Sequence, residues 1–94
     1  MIDLDQRVTL STEVLSQEVS GETVLLDLES ENYLGLDEVG TRIWQLLKED
    51  GNLRTVFNTL LAEYDVEEDR LAQDLDNLLN EISELGLITL EPIT

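Results

Sequence analysis

The residues able to do chemistry in this sequence are almost all carboxylates. Among 94 residues there are 22 Asp and Glu against five Lys and Arg, with neither histidine nor cysteine. Without histidine the usual general base near neutral pH is missing, and with it every His-containing triad. The five serines (Ser11, Ser16, Ser20, Ser30 and Ser83) lie in neither a G-x-S-x-G elbow nor an S-x-x-K motif. There is no G-x-x-x-x-G-K-[ST] or G-x-G-x-x-G phosphate loop. Carboxylate pairs abound, but adjacency by chance is expected among so many acids. The one stretch that invites a calcium test, Asp65–Asp76, lacks the mid-loop glycine and closing Glu of an EF-hand and reads better as helix. The absence of cysteine removes both a disulfide framework and a thiolate metal site. These residue types predict no enzyme, no metal and no cofactor. What remains is recognition.

Charge narrows the partner. A formal net charge of −17, with the basic residues scattered at Arg7, Arg42, Lys48, Arg54 and Arg70, leaves no cluster to displace counterions from phosphates, so no nucleic acid is expected. An anionic membrane surface would repel the chain for the same reason. The field favours neutral or basic partners and speeds their arrival, most of all at low salt. The plainer role of such charge is to keep a small domain soluble. Apolar residues make up 41% of the chain and are spread along it, which predicts one folded domain over residues 1–94. No run approaches the roughly 20 apolar residues of a membrane span. The start, MIDLDQRVTL, lacks the basic and apolar regions of a secretory signal, so a cytoplasmic protein is expected.

The elements that must position any binding site follow from a change of period. Up to Leu36 the pattern suits short strands at Arg7–Leu10, Val14–Val19, Thr23–Leu28 and Asn32–Leu36. Ser20-Gly21-Glu22 reads as a tight turn and Glu29-Ser30-Glu31 as a second connection. Residues 7–36 therefore form a three-stranded meander, with room for an extra N-terminal arm. After Asp37, a plausible N-cap, the period becomes helical: Val39, Ile43, Leu46 and Leu47 share a face, with Trp44 beside them as a core anchor. Asp50-Gly51 ends this helix. Asn52 caps a second, whose Leu53, Val56, Phe57, Leu60, Leu61 and Tyr64 fit an amphipathic spacing. Asp65-Val66-Glu67-Glu68 has the form of a capping box and opens a third helix of about 20 residues, roughly 30 Å long. Its stripe is Leu71, Leu75, Leu78, Leu79, Ile82 and Leu85 before a stop at Gly86. Leu87–Leu90 adds a short final strand and Pro92 closes the ordered part.

A sheet, then three helices, then a terminal strand predicts an α+β domain of winged helix-turn-helix-like type, with an N-terminal three-stranded antiparallel sheet. In DNA-binding versions the third helix enters the major groove. Here residues 63–84 carry nine acids and the single base Arg70, so that helix would be pushed away from phosphates.

The segment Tyr33-Leu34-Gly35-Leu36-Asp37-Glu38-Val39-Gly40-Thr41-Arg42-Ile43-Trp44-Gln45-Leu46-Leu47 resembles the strand-to-first-helix junction of PqqD-like proteins. Tyr64-Asp65-Val66, followed by Asp74, Leu75, Leu78, Leu79 and Leu85-Gly86-Leu87-Ile88, resembles the third helix and its Leu-Gly-Leu exit in that family. The similarity runs over roughly residues 14–90, and its order and spacing are more specific than any one motif. The Tyr-Leu-Gly-Leu junction is most similar to the stand-alone recognition proteins of lasso-peptide systems, with the chaperone of pyrroloquinoline quinone biosynthesis a more distant match.

The resemblance implies a RiPP recognition element, a non-catalytic domain that binds the leader of a ribosomally synthesised precursor peptide. It implies that the leader adds as an antiparallel strand to the third strand of the meander, beside the third helix. By position the edge is Glu31, Asn32, Tyr33, Leu34 and Gly35, and the facing helix offers Leu71, Asp74, Leu75 and Leu78, with Asp74 accepting a hydrogen bond from a leader hydroxyl or amide. A separate leader peptidase and a cyclase or other modifying enzyme would supply the chemistry. Each residue also has a structural role open to it. The helix leucines have core spacing, Tyr33 can cover a sheet edge, and Gly35 can mark a bulge. A homodimer, by exchange of the N-terminal strand or pairing of edges, stays open. So does a second function, an acidic winged-helix regulator or nucleic-acid mimic that sequesters a basic protein. Salt separates the two readings, since a charge-driven complex weakens steeply with screening.

Overall fold

The computed structural model describes residues 3–93; the two N-terminal residues and Thr94 of the expected 1–94 domain lie outside them. Five strands and three helices follow in the order β1 (Gln6–Leu10), β2 (Val14–Val19), β3 (Glu22–Asp27), β4 (Tyr33–Leu36), α1 (Glu38–Glu49), α2 (Leu53–Glu63), α3 (Glu68–Glu84) and β5 (Ile88–Pro92). Strands β2, β3 and β4 form the expected antiparallel meander, while the N-terminal arm β1 pairs with β5 in a separate two-stranded sheet.

The β2–β3 hairpin closes through Ser20 and Gly21, both at positive φ (54° and 83°), with Val19 opposite Glu22. Two consecutive positive φ angles match the right-handed twist of the flanking strands. The β3–β4 connection is organised by Asp27, whose carboxylate accepts from the Glu29 N–H and the Ser30 hydroxyl. Its backbone N–H donates to the Asn32 carbonyl and its own carbonyl accepts from Glu31.

Helix α1 starts at Asp37, whose Oδ1 accepts from the Gly40 N–H at 2.8 Å, and α2 starts at Asn52, whose Oδ1 accepts from Arg54 and Thr55. Both caps agree with the sequence. The third does not. Glu67 occupies the cap position of α3 without a side-chain hydrogen bond, so the expected capping box at Asp65 does not form and the helix has 17 residues. Val66 packs against the core and Glu67 stays extended, which delays the first helical turn past Asp65. At the other end Leu87 N–H reaches the Ile82 carbonyl and Gly86 N–H the Ser83 carbonyl, the bond pair of a Schellman stop.

Gly51 differs from expectation in its role. The Asp50 N–H closes α1 onto the Leu46 carbonyl, and Gly51 is required by proximity. Its carbonyl accepts from Val8 N–H at 2.8 Å, and a β-carbon there would lie 2.2 Å from the Val8 carbonyl oxygen. The α1–α2 connection thus lies edge-on against β1. Pro92 also belongs to the ordered fold, as the last residue of β5 opposite Gln6. Ile93 N–H bonds Asp5 and Ser11 N–H bonds Leu87. By the alternation of an antiparallel ladder, the position of Pro92 then faces its nitrogen away from β1, where no donor is needed.

One apolar core joins Val8, Leu25 and Leu36 from three strands to Ile43, Trp44 and Leu47 of α1, Leu53, Phe57 and Leu60 of α2, and Leu71, Leu75, Leu79 and Ile82 of α3. Trp44 is a core residue, as its spacing suggested. Arg42 of α1 forks onto Glu63 of α2, with Nε 2.8 Å from Oε1. That hydrogen bond, more than the charge itself, holds the Glu63 carboxyl below the usual carboxylate range.

Three outcomes follow. Gly51→Ala must displace β1 or the connection, and lowers stability by about 1–3 kcal/mol, read as a lower urea midpoint with an unchanged slope. Gly35→Ala, whose β-carbon meets nothing within 4 Å, changes it by less than about 0.5 kcal/mol. A carboxylate with a depressed folded pKa stabilises fully above its unfolded value and loses that contribution as pH falls through the folded one. Glu63→Gln therefore melts below the unmodified protein at neutral pH, and the difference disappears in acid below the carboxylate range.

Candidate functional site

The hydrogen-bond register shows which backbone groups are free. Leu28 N–H bonds Glu13 toward β2 and Asp27 N–H bonds Asn32 toward β4, so successive residues of β3 serve opposite neighbours. With Leu25 opposite Leu34 and Thr23 opposite Leu36, alternation makes these the bonded pairs. Tyr33 and Gly35 then turn their N–H and C=O groups outward, to the open edge of the sheet. The groups of Asn32 are already used, its carbonyl by Asp27 and its N–H by the Ser30 hydroxyl. Glu31 stands in the turn at φ 64° and donates its N–H to Asp27. Of the five edge residues expected from the sequence, Tyr33, Leu34 and Gly35 form the strand, and Glu31 and Asn32 precede it.

Beside that edge runs an open groove of about 490 Å³. One wall is Gly35, Leu36 and Asp37 at the end of β4, the floor is Val39, Gly40 and Ile43 of α1, and the far wall is Asp74, Asn77, Leu78 and Glu81 of α3. The α3 wall has the spacing i, i+3, i+4, i+7, one stripe of the helix. A second stripe, Leu71, Leu75, Leu79 and Ile82, is buried in the core. The structure therefore brings Gly35, Asp74 and Leu78 together, and leaves Leu71 and Leu75 under the site as its support.

The residues that sequence reasoning missed are Leu36, Asp37, Val39, Gly40, Ile43, Asn77 and Glu81. The signal for the last two was present as Asp74-x-x-Asn77-Leu78-x-x-Glu81, a polar-framed stripe around a single leucine. The sequence identifies Asp37 only as a cap. Chemically the groove combines an apolar floor with three carboxylates and an amide on its rim, and no Lys or Arg lines it. It suits an extended peptide whose inward side chains are apolar, hydroxylated or basic. No group of three acid, histidine or cysteine side chains able to hold a metal ion exists among the described residues, and no helix among them is long and apolar enough to cross a membrane.

A meander whose β4 edge is free beside a groove and a facing helix has the features that peptide recognition by strand addition uses. The family model described as coenzyme PQQ synthesis protein D (PqqD) matches residues 22–88, and the chain belongs to the PqqD family. Two solved structures share its fold closely. One is TbiB1 in complex with the TbiA(beta) leader peptide, at 35% identity and TM-score 0.79, covering 84% of this chain and 92% of that one. The other is lasso peptide synthetase B1 complexed with the leader peptide, at 26% identity and TM-score 0.77, covering 88% and 98%. No curated protein sequence matches the chain.

Because Asp37 both caps α1 and lines the groove, its two roles separate by substitution. Asp37→Ala loses the cap and about 1 kcal/mol, a fall in melting temperature of about 4–8 °C. Asp37→Asn keeps an acceptor for the Gly40 N–H and melts close to the unmodified protein while removing one rim charge.

Proposed function

We propose that this protein captures the leader of a ribosomally synthesised precursor peptide as an added antiparallel strand on β4. We further propose that it presents the leader to a separate leader peptidase and to a cyclase or other modifying enzyme of lasso-peptide biosynthesis. The observation that carries this reading is the open edge at Tyr33 and Gly35 beside the groove under α3. Main-chain bonds from these two residues give affinity regardless of leader sequence, and the groove supplies selection. Leader residues opposite Leu34 and Leu36 turn their side chains inward, toward Leu78, Asp74 and Ile43. Those opposite Tyr33 and Gly35 turn outward. The complexes formed by the two structural relatives support the same class of ligand.

Binding is the whole contribution proposed for this chain; the bond-making and bond-breaking steps fall to the enzymes it serves. Holding the precursor beside such an enzyme raises its effective concentration there, so apparent affinity improves with no catalytic group on this domain.

The test is an amide chemical-shift titration of the labelled protein with the leader of the precursor encoded beside it. Saturable shifts at 33–36 and along 74–81 that persist at moderate salt support strand addition. Diffuse shifts that salt abolishes would sink it and favour the acidic-regulator reading. Gly35→Pro removes a donor that β3 does not use, so affinity falls about three- to tenfold with little change in melting. Leu34→Pro removes a donor inside the ladder and destabilises the fold itself.

A further inference from the structure

The described residues include all 22 carboxylates of the chain, and among them a single one is buried. Asp27, the last residue of β3, is 7% exposed and shares the inward face of that strand with the buried Thr23 and Leu25. Taking a carboxylate out of water is costly unless hydrogen bonds replace the lost hydration, and those of Asp27 go to the turn that leads into β4. Oδ1 accepts from the Glu29 N–H at 3.1 Å and Oδ2 from the Ser30 hydroxyl at 2.7 Å. Ser30 Oγ in turn accepts from the Asn32 N–H at 3.3 Å. The main chain of Asp27 closes the same turn from the other side. Its carbonyl accepts the Glu31 N–H and its own N–H donates to the Asn32 carbonyl, each at 2.8 Å.

This clamp determines where the open edge begins. By the parity of β4, a further outward slot would fall at Glu31, two residues before Tyr33. Glu31 is instead turned to φ 64°, with its N–H held by Asp27. At the opposite end Asp37 gives its carbonyl to the Thr41 N–H. Tyr33 and Gly35 are left as the complete slots. Main-chain bonds alone do not fix register, and a slip of two residues preserves which side chains face inward. On an edge longer by one slot a leader would bind in two ways, displaced by about 7 Å along the strand. For cargo that another enzyme must cut or close, such a displacement carries the reacting bond out of place.

We propose that Asp27, acting through Ser30, is a positioning residue for the leader: it closes the slot at Glu31 and so holds the added strand in one register. This role rests on the leader reading above. It assigns the choice of register to two side chains behind the edge, while selection stays with the groove.

The experiment measures register by distance. The chain has no cysteine, so Glu22→Cys, at the exposed hairpin end of β3, takes a single spin label. A second label is placed on the leader of the precursor encoded beside the chain, and pulsed dipolar spin resonance reads the separation. With the clamp intact, one distance is expected. Asp27→Ala and Ser30→Ala each add a second, longer distance, from leader slipped two residues toward the turn, while Ser30→Thr keeps the hydroxyl and shows one. Ser30 is exposed, so its variants retain the fold even where loss of Asp27 does not. In the free protein, hydrogen exchange at the Asn32 amide speeds up in both alanine variants and leaves the outward Tyr33 and Gly35 amides unchanged. A single distance in Ser30→Ala overturns the proposal whether or not Asp27→Ala folds, and so does unchanged exchange at Asn32. Absent leader binding with the clamp intact overturns the leader reading and the register role with it. A leader bound in one register by every variant overturns the register role alone.

Discussion

Between the last residue of β4 and the first of α1 stands Asp37 alone, and the geometry of the site depends on how that single residue turns the chain. Its backbone stays extended, continuing the strand, while its carboxylate takes the Gly40 N–H and starts the helix. The strand edge and the helix are thereby joined without slack. The small residue at Gly40 lets the first turn of α1 sit against Leu36, whose side chain would lie 3.2 Å from a β-carbon there. The groove is the space this corner leaves when α3 packs its leucine stripe below. A longer loop at 37 would decouple the edge from α1 and cost the groove one wall.

The central strand imposes the complementary constraint. Since β3 bonds β2 and β4 with alternate residues, the free groups of the outer strand are determined before any ligand arrives. Two residues, Tyr33 and Gly35, leave their main-chain groups free at this edge, and the inward and outward positions of any added strand are assigned by the same parity. In the proposed complex, affinity and selection are thus divided between backbone and groove. Nearly sequence-blind capture can coexist with discrimination at a few alternate side chains.

Much of this was legible in the sequence because it is local. The period change at Asp37, the caps at Asp37 and Asn52, the Ser20-Gly21 turn and the stop at Gly86 each depend on residues a few positions apart. What was not legible depends on partners distant in the chain. Nothing in the period of residues 6–10 says that they pair with 88–92, and Gly51 is explained only by the Val8 carbonyl that approaches it. Asp65 has the right type for a cap, yet the packing of Val66 overrides it. On α3 the difference between groove and core is one residue of helix, about 100° of rotation. Leu78 faces the groove and Leu79 the interior, although both are leucines of one apolar run. Of the four α3 residues named by position along the resemblance, Asp74 and Leu78 line the groove, and Leu71 and Leu75 lie in the core.

The pairing of β1 with β5 has a wider consequence. With Gln6 opposite Pro92, the path into the domain and the path out of it run side by side. The β2–β3–β4 edge and its groove belong to the other sheet. Such a body behaves as a cassette: joined ends and a new break in the exposed Glu29–Glu31 turn give a circular permutant that keeps every strand pair. A host polypeptide could likewise carry the unit as an insertion, entering and leaving through neighbouring points. Recognition built this way is portable, since the topology lets the same edge and groove be moved between larger assemblies without redrawing either.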